Sequence, residues 1–223
     1  MLHLGTIRGS TIAVDSSFII LCVFFVALNF NAQRGIEYAL IWIPVLFISV
    51  LIHEFAHAAM FGMFGYGASE IVLGGMGGHT MNRNHQTPKA WHDFIISGAG
   101  PISNFAIMGA AIGLMNVPRL SADPFFQALL PLLAGVNFFW GMLNLIPLKP
   151  LDGGHVIRSF TRLFMKDRPS FVVSIWIGIV VGALCALYFA VSRQFFLALF
   201  IAWYVFMNFQ AWQEFKERGY PGD

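Results

Sequence analysis

Residues 36–64 read IEYALIWIPVLFISVLIHEFAHAAMFGMF, a largely apolar run whose acidic and histidine residues are Glu37 near its start and His53, Glu54 and His57 toward its end. About 20 apolar residues rising 1.5 Å each cross about 30 Å of hydrocarbon, so this stretch predicts a membrane-spanning helix. An ionisable side chain inside such a span costs roughly 3 kcal/mol on insertion scales and usually marks function. Here three fall within five positions. Residues four apart share one face of a helix, so the imidazoles of His53 and His57 can reach a single metal ion. Glu54, one step round, can take a proton from a water at that ion.

The rest of the chain supplies a matching environment. Of its 223 residues 57% are hydrophobic and 11% charged, against roughly 25% charged in a soluble domain. A water-soluble globule would lack a polar surface; a bilayer is the solvent that fits. The net charge of +2 is too small to argue for nucleic acid, and no basic run interleaved with aromatics appears. Cys22 and Cys185 both lie in apolar stretches and read as small hydrophobes without a disulfide framework.

Six hydrophobic segments are expected: 16–30, 36–64, 94–115, 125–148, 171–191 and 195–212. The first is short, and a signal peptide is its alternative reading. With both termini cytoplasmic, the inside holds Arg8, Arg83, Lys89, Lys149, Arg158, Arg162, Lys166, Arg168, Lys216 and Arg218. The outside then holds Arg34, Arg119 and Arg193, a strong positive-inside bias. The fold class expected is an all-α polytopic membrane protein, with about six transmembrane helices in one domain over 1–223. A weak strand signal at Glu70-Ile-Val-Leu73, followed by Gly74-Gly-Met-Gly-Gly78, adds a short membrane-associated β element on the cytoplasmic side.

A catalytic zinc usually has three protein ligands and an open fourth position. Asp152 is the best third ligand, because the positive-inside topology brings the fourth span to the inner side at the depth of His53 and His57. Glu70, His79, His85, His92 and His155 compete, most of them in inner loops. Pro147 removes a backbone donor and bends or ends the fourth span, with Pro150 and Gly153-Gly154 continuing the break. Irregular backbone at membrane depth is tolerated only where protein or a water-filled cavity covers it. Asn104 and Asn144 are candidate donors to a developing oxyanion, with plain interhelical bonding as the alternative. Gly109-x-x-x-Gly113 reads as a helix-packing face.

Three motifs, His53-Glu-Phe-Ala-His57, Gly100-Pro-Ile-Ser-Asn104 and Asn144-Leu-Ile-Pro-Leu-Lys-Pro-Leu-Asp-Gly-Gly154, resemble in order and kind those of the site-2 protease family of intramembrane metalloproteases. The similarity covers the second through fourth spans. The resemblance implies one zinc per chain held by His53, His57 and Asp152, with Glu54 as general base and Asn104 and Asn144 lining the site. It implies too that residues 74–78, through Gly75 and Gly77, clamp an extended substrate. A helical substrate hides its peptide bonds, and pairing with an exposed strand edge would hold it unwound. Larger members carry a PDZ or CBS domain for which these residues leave no room.

The expected function is therefore zinc-dependent intramembrane proteolysis of other proteins' transmembrane segments. The setting implied is multi-pass insertion in the inner membrane of a prokaryotic cell, in contact with lipid and with a regulatory membrane partner. A membrane metal transporter using His53, His57 and Asp152 as a transit site is the main rival. A prenyl-protein processing metalloprotease would share the histidine pair but not Asp152, and a non-catalytic scaffold would need neither ligands nor base.

Overall fold

A computed structural model describes residues 1–31, 35–75 and 77–219. Arg34, counted above among the outer charges, and Met76, inside the glycine run, lie outside the described residues. The chain divides into two compact units, Met1–Thr87 with Ala99–Gly141, and Pro88–Gly98 with Met142–Asp223.

The first unit opens with strands β1 (Leu2–Ile7) and β2 (Ser10–Val14), joined through Arg8 and Gly9. Both linking residues have positive φ, 49° and 84°, which matches the twist of a two-residue hairpin turn. Helix α1 (Ser16–Asn29) follows, capped by the Asp15 carboxylate, which accepts from the Ser17 N–H at 2.9 Å. Next come α2 (Ile36–Leu40), α3 (Trp42–Met63), β3 (Ser69–Gly74) and β4 (Gly77–Asn82). Helix α4 (Ala90–Met115) enters the unit at Ala99, and α5 (Pro118–Ser121) and α6 (Pro124–Asn144) complete it.

The sheet has strand order β1-β2-β3-β4, with β2 and β3 parallel and the outer pairs antiparallel. Ile12, Val14, Ile71 and Leu73 join Phe18, Val45, Leu46, Val50 and Trp140 in one buried cluster, so the sheet is seated on α1, α3 and α6. The single strand expected at Glu70–Leu73 is thus the inner part of a four-stranded sheet. One of its two edge strands, β1, is exposed along its whole length.

The second unit holds the start of α4 together with α7 (Asp152–Arg162), α8 (Asp167–Val191) and α9 (Phe195–Arg218). Helix α7 occupies half of residues 149–170, which read from sequence as a polar, basic loop. Helix α6 stops at Asn144, three residues before Pro147, and the chain runs irregularly to Leu151. A Cβ on Gly178 would press on the Pro147 carbonyl, and one on Gly182 would sit 2.7 Å from Leu148 Cδ1. Small residues on α8 therefore let the irregular segment lie directly on the helix. Close packing expected at Gly109 and Gly113 does not occur among the described residues, since a Cβ at either meets nothing within 4 Å.

Asn208 of α9 serves the same irregular segment. Its Nδ2 donates to the Lys149 carbonyl at 2.9 Å and its Oδ1 accepts from the Lys149 N–H at 3.2 Å. Backbone that the prolines leave without helical partners is thereby satisfied inside an apolar surrounding. Lys149 lies outside the spans, and burial, with Arg158 nearby, lowers its amine to about 8.

Among the described residues five helices are long and apolar enough to cross a membrane: Ile36–Met63, Ala90–Met115, Pro124–Asn144, Asp167–Val191 and Phe195–Arg218. The 14 residues of α1 are apolar too, but about 1.5 Å each gives about 21 Å, short of a full crossing. Large apolar side chains such as Ile102, Leu184, Phe196 and Leu199 point outward, as lipid-facing surface does.

Candidate metal centre

Helix α3 carries His53 and His57 one turn apart, with ring centroids 4.9 Å apart, edge to face, and both residues buried. Their Nε2 atoms face each other at 3.2 Å. Two imidazole nitrogens on a tetrahedral zinc, each at about 2.0–2.1 Å, stand about 3.4 Å apart, so the pair already has nearly the spacing the ion requires.

Gly100 of α4 faces the same atoms. A Cβ there would collide with His57 Nε2 and lie 2.6 Å from His53 Nε2. Only a residue without a side chain leaves space in front of both lone pairs. The donors and this cradle fit a zinc ion. Asp152, the third ligand expected from the sequence, belongs to the second unit. Asp152 itself opens α7, in that helix's first turn.

The other ring nitrogen of His53 is held from behind. Its Nδ1 lies 2.6 Å from Asn104 Oδ1, whose amide Nδ2 donates to Asn137 Oδ1 at 2.8 Å. Asn137 Nδ2 donates in turn to Ser49 Oγ at 2.9 Å and to the Leu133 carbonyl at 2.8 Å. Asn104 thus has both ends of its amide engaged with His53 and Asn137, the interhelical bonding that the sequence offers as the alternative to an oxyanion donor.

Glu54 is buried under β4. Thr80 donates to Glu54 Oε2 at 2.8 Å, and a Cβ on Gly78 would collide with the glutamate side chain. Strand β4 and the Glu54 side chain are therefore in direct contact. Gly75 sits between β3 and β4 with its N–H donating to Ser17 Oγ at 2.9 Å, and Gly77 begins β4 at φ +116°, where a side chain would be strained. Asn144 is the last residue of α6.

Ser49, Thr80 and Asn137 carry no motif. Asn137 had one available signal, an amide in the middle of an apolar span, the criterion that singles out His53. Thr80 had none, because its contact with Glu54 depends on where the β3–β4 hairpin folds back.

A buried glutamate flanked by two facing imidazoles, on a helix of membrane-spanning length, is the constellation of a membrane metallopeptidase. Residues 108–187 match Peptidase family M50. The chain is 30% identical over 164 residues to a zinc metalloprotease of Methanocaldococcus jannaschii, covering 71% of this chain and 44% of that protein. It is 27% identical over 184 residues to the Stage IV sporulation protein FB of Bacillus subtilis, covering 78% of this chain and 59% of that one. The chain thus spans about half the length of these relatives. A solved structure, the site-2 protease from Methanocaldococcus jannaschii, superposes with a TM-score of 0.63 at 25% identity over 93% of this chain and 94% of that one. The chain belongs to the site-2 protease family of zinc metalloproteases, peptidase family M50, and is an integral membrane protein.

Proposed function

We propose that this chain is an intramembrane endopeptidase that cuts transmembrane segments of other membrane proteins close to the cytoplasmic face. The observation that carries this is Glu54, buried beside the His53–His57 pair and hydrogen-bonded to Thr80 on an edge strand. A transit site for metal needs no base, and no strand laid across one.

His53, His57 and Asp152 are the zinc ligands, one ion per chain, and the two units act as one protease domain over 1–223. When bound, the ion supplies Lewis-acid polarisation of the scissile carbonyl and acidifies the attacking water. Glu54 takes the proton from that water and delivers it to the leaving amine. Asn144 donates to the carbonyl oxygen as its negative charge develops. Strand β4, with Gly75 and Gly77, pairs with the unwound substrate backbone, which exposes a peptide bond that a helix would hide. The Lys and Arg distribution supports cytoplasmic termini and an inner-membrane location in a prokaryote. Substrates are membrane-tethered proteins, and a membrane partner regulates access.

The test is cleavage of a tethered transmembrane substrate by the purified chain in liposomes. One internal cut is expected, mapped by mass spectrometry, abolished by a zinc chelator and restored by added zinc. A cut that persists undiminished in chelator would rule the proposal out.

A further inference from the structure

Four buried polar side chains, Ser49, His53, Asn104 and Asn137, form a continuous hydrogen-bonded chain linking α3, α4 and α6. Asparagine amides can be turned either way, so the direction of such a chain is normally a matter of choice. Here one end removes the choice. The Leu133 carbonyl can only accept, so the Asn137 atom 2.8 Å away must be the amide nitrogen. Asn137 then presents Oδ1 to Asn104, which must answer with its own nitrogen at 2.8 Å. Asn104 is left presenting Oδ1 to His53, and an oxygen at 2.6 Å from Nδ1 requires that Nδ1 carry the hydrogen. Each step follows from what the previous atom can donate.

We propose that Asn137 is a positioning residue for the metal centre. Acting through Asn104, it fixes His53 as the tautomer protonated on Nδ1, so that the Nε2 atom facing His57 and the Gly100 cradle carries no hydrogen. This rests on His53 being a zinc ligand. A metal-binding imidazole depends on its other nitrogen having a partner of the right kind, and losing such a partner typically costs about 10–100-fold in metal affinity. With Asn137 gone, the Asn104 amide keeps only a 3.5 Å approach to the Ser49 carbonyl as an alternative partner for its nitrogen. It can then turn its NH2 toward His53, placing the ring proton on Nε2, where zinc has to bind.

The first measurement needs no variant. In the zinc-free wild-type chain at a pH where the rings are neutral, the 15N shifts of His53 should report a proton on Nδ1 and none on Nε2. The second is zinc affinity by chelator competition. Asn137→Ala should bind zinc about 10–100-fold more weakly and show a mixture of His53 tautomers. Adding Asn104→Asp to that variant should restore both, since a carboxylate offers His53 only an acceptor. A variant weakened merely by poor packing would not be rescued by a charged residue. His53 protonated on Nε2 in the wild type, or unchanged zinc affinity in Asn137→Ala, would overturn the proposal while leaving the protease assignment standing. A wild-type chain that takes up no zinc would remove both.

Discussion

Gly100→Ala should empty the metal centre of an otherwise folded protein. The added methyl group would occupy the position that both Nε2 atoms face, 2.6 Å from that of His53 and closer still to that of His57. Neither ring can retreat freely, because His53 is bonded through Nδ1 to Asn104 and both residues are buried in α3. A loss of zinc affinity beyond about 100-fold is expected, larger than the loss of an outer-shell partner produces, with proteolysis falling in parallel. The backbone should not suffer, since alanine is the better helix former by up to about 1 kcal/mol. Metal analysis with a thermal melt of the zinc-free protein separates the two effects. Zinc retained at the wild-type level would mean that the ion does not sit between the two imidazoles and α4.

Glu54→Gln should show the opposite pattern, with full zinc and almost no turnover. Glutamine keeps the size of the side chain beneath Gly78, and its Oε1 can still accept the hydroxyl of Thr80. It cannot take a proton. Loss of a positioned acid–base group typically costs about 10²–10⁴-fold in rate, and that drop is expected in single-turnover cleavage of a transmembrane substrate in liposomes. Zinc content should stay at the wild-type level because Glu54 is not a ligand. A transporter would give the reverse result, zinc flux untouched by the substitution. Cleavage at the wild-type rate would remove Glu54 from the mechanism.

Much of this was legible in the sequence because a bilayer penalises polar groups so heavily that those remaining stand out. His53, Glu54 and His57 are visible against the apolar run around them, and α3 carries all three. The break after Asn144 was visible in Pro147, and the start of α7 at Asp152 follows from it. What escaped was governed by pairing across the chain. The β1–β2 hairpin has no apolar run to mark it, and its turn at Arg8-Gly9 is not one of the common Asn-Gly or Asp-Gly signals. Thr80 reaches Glu54 only because the hairpin β3–β4 folds onto α3. The glycine face was expected on α4 and found on α8, because spacing alone marks a surface capable of close approach without saying which segment uses it.

Zinc K-edge X-ray absorption of the purified chain, compared with Asp152→Ala, tests the central claim most directly. The account predicts one zinc per wild-type chain with two imidazole nitrogens at about 2.0–2.1 Å and a carboxylate oxygen at about 2.0–2.2 Å, the oxygen being lost and the ion held more weakly in the variant. A first shell and zinc content identical in the two proteins would contradict it.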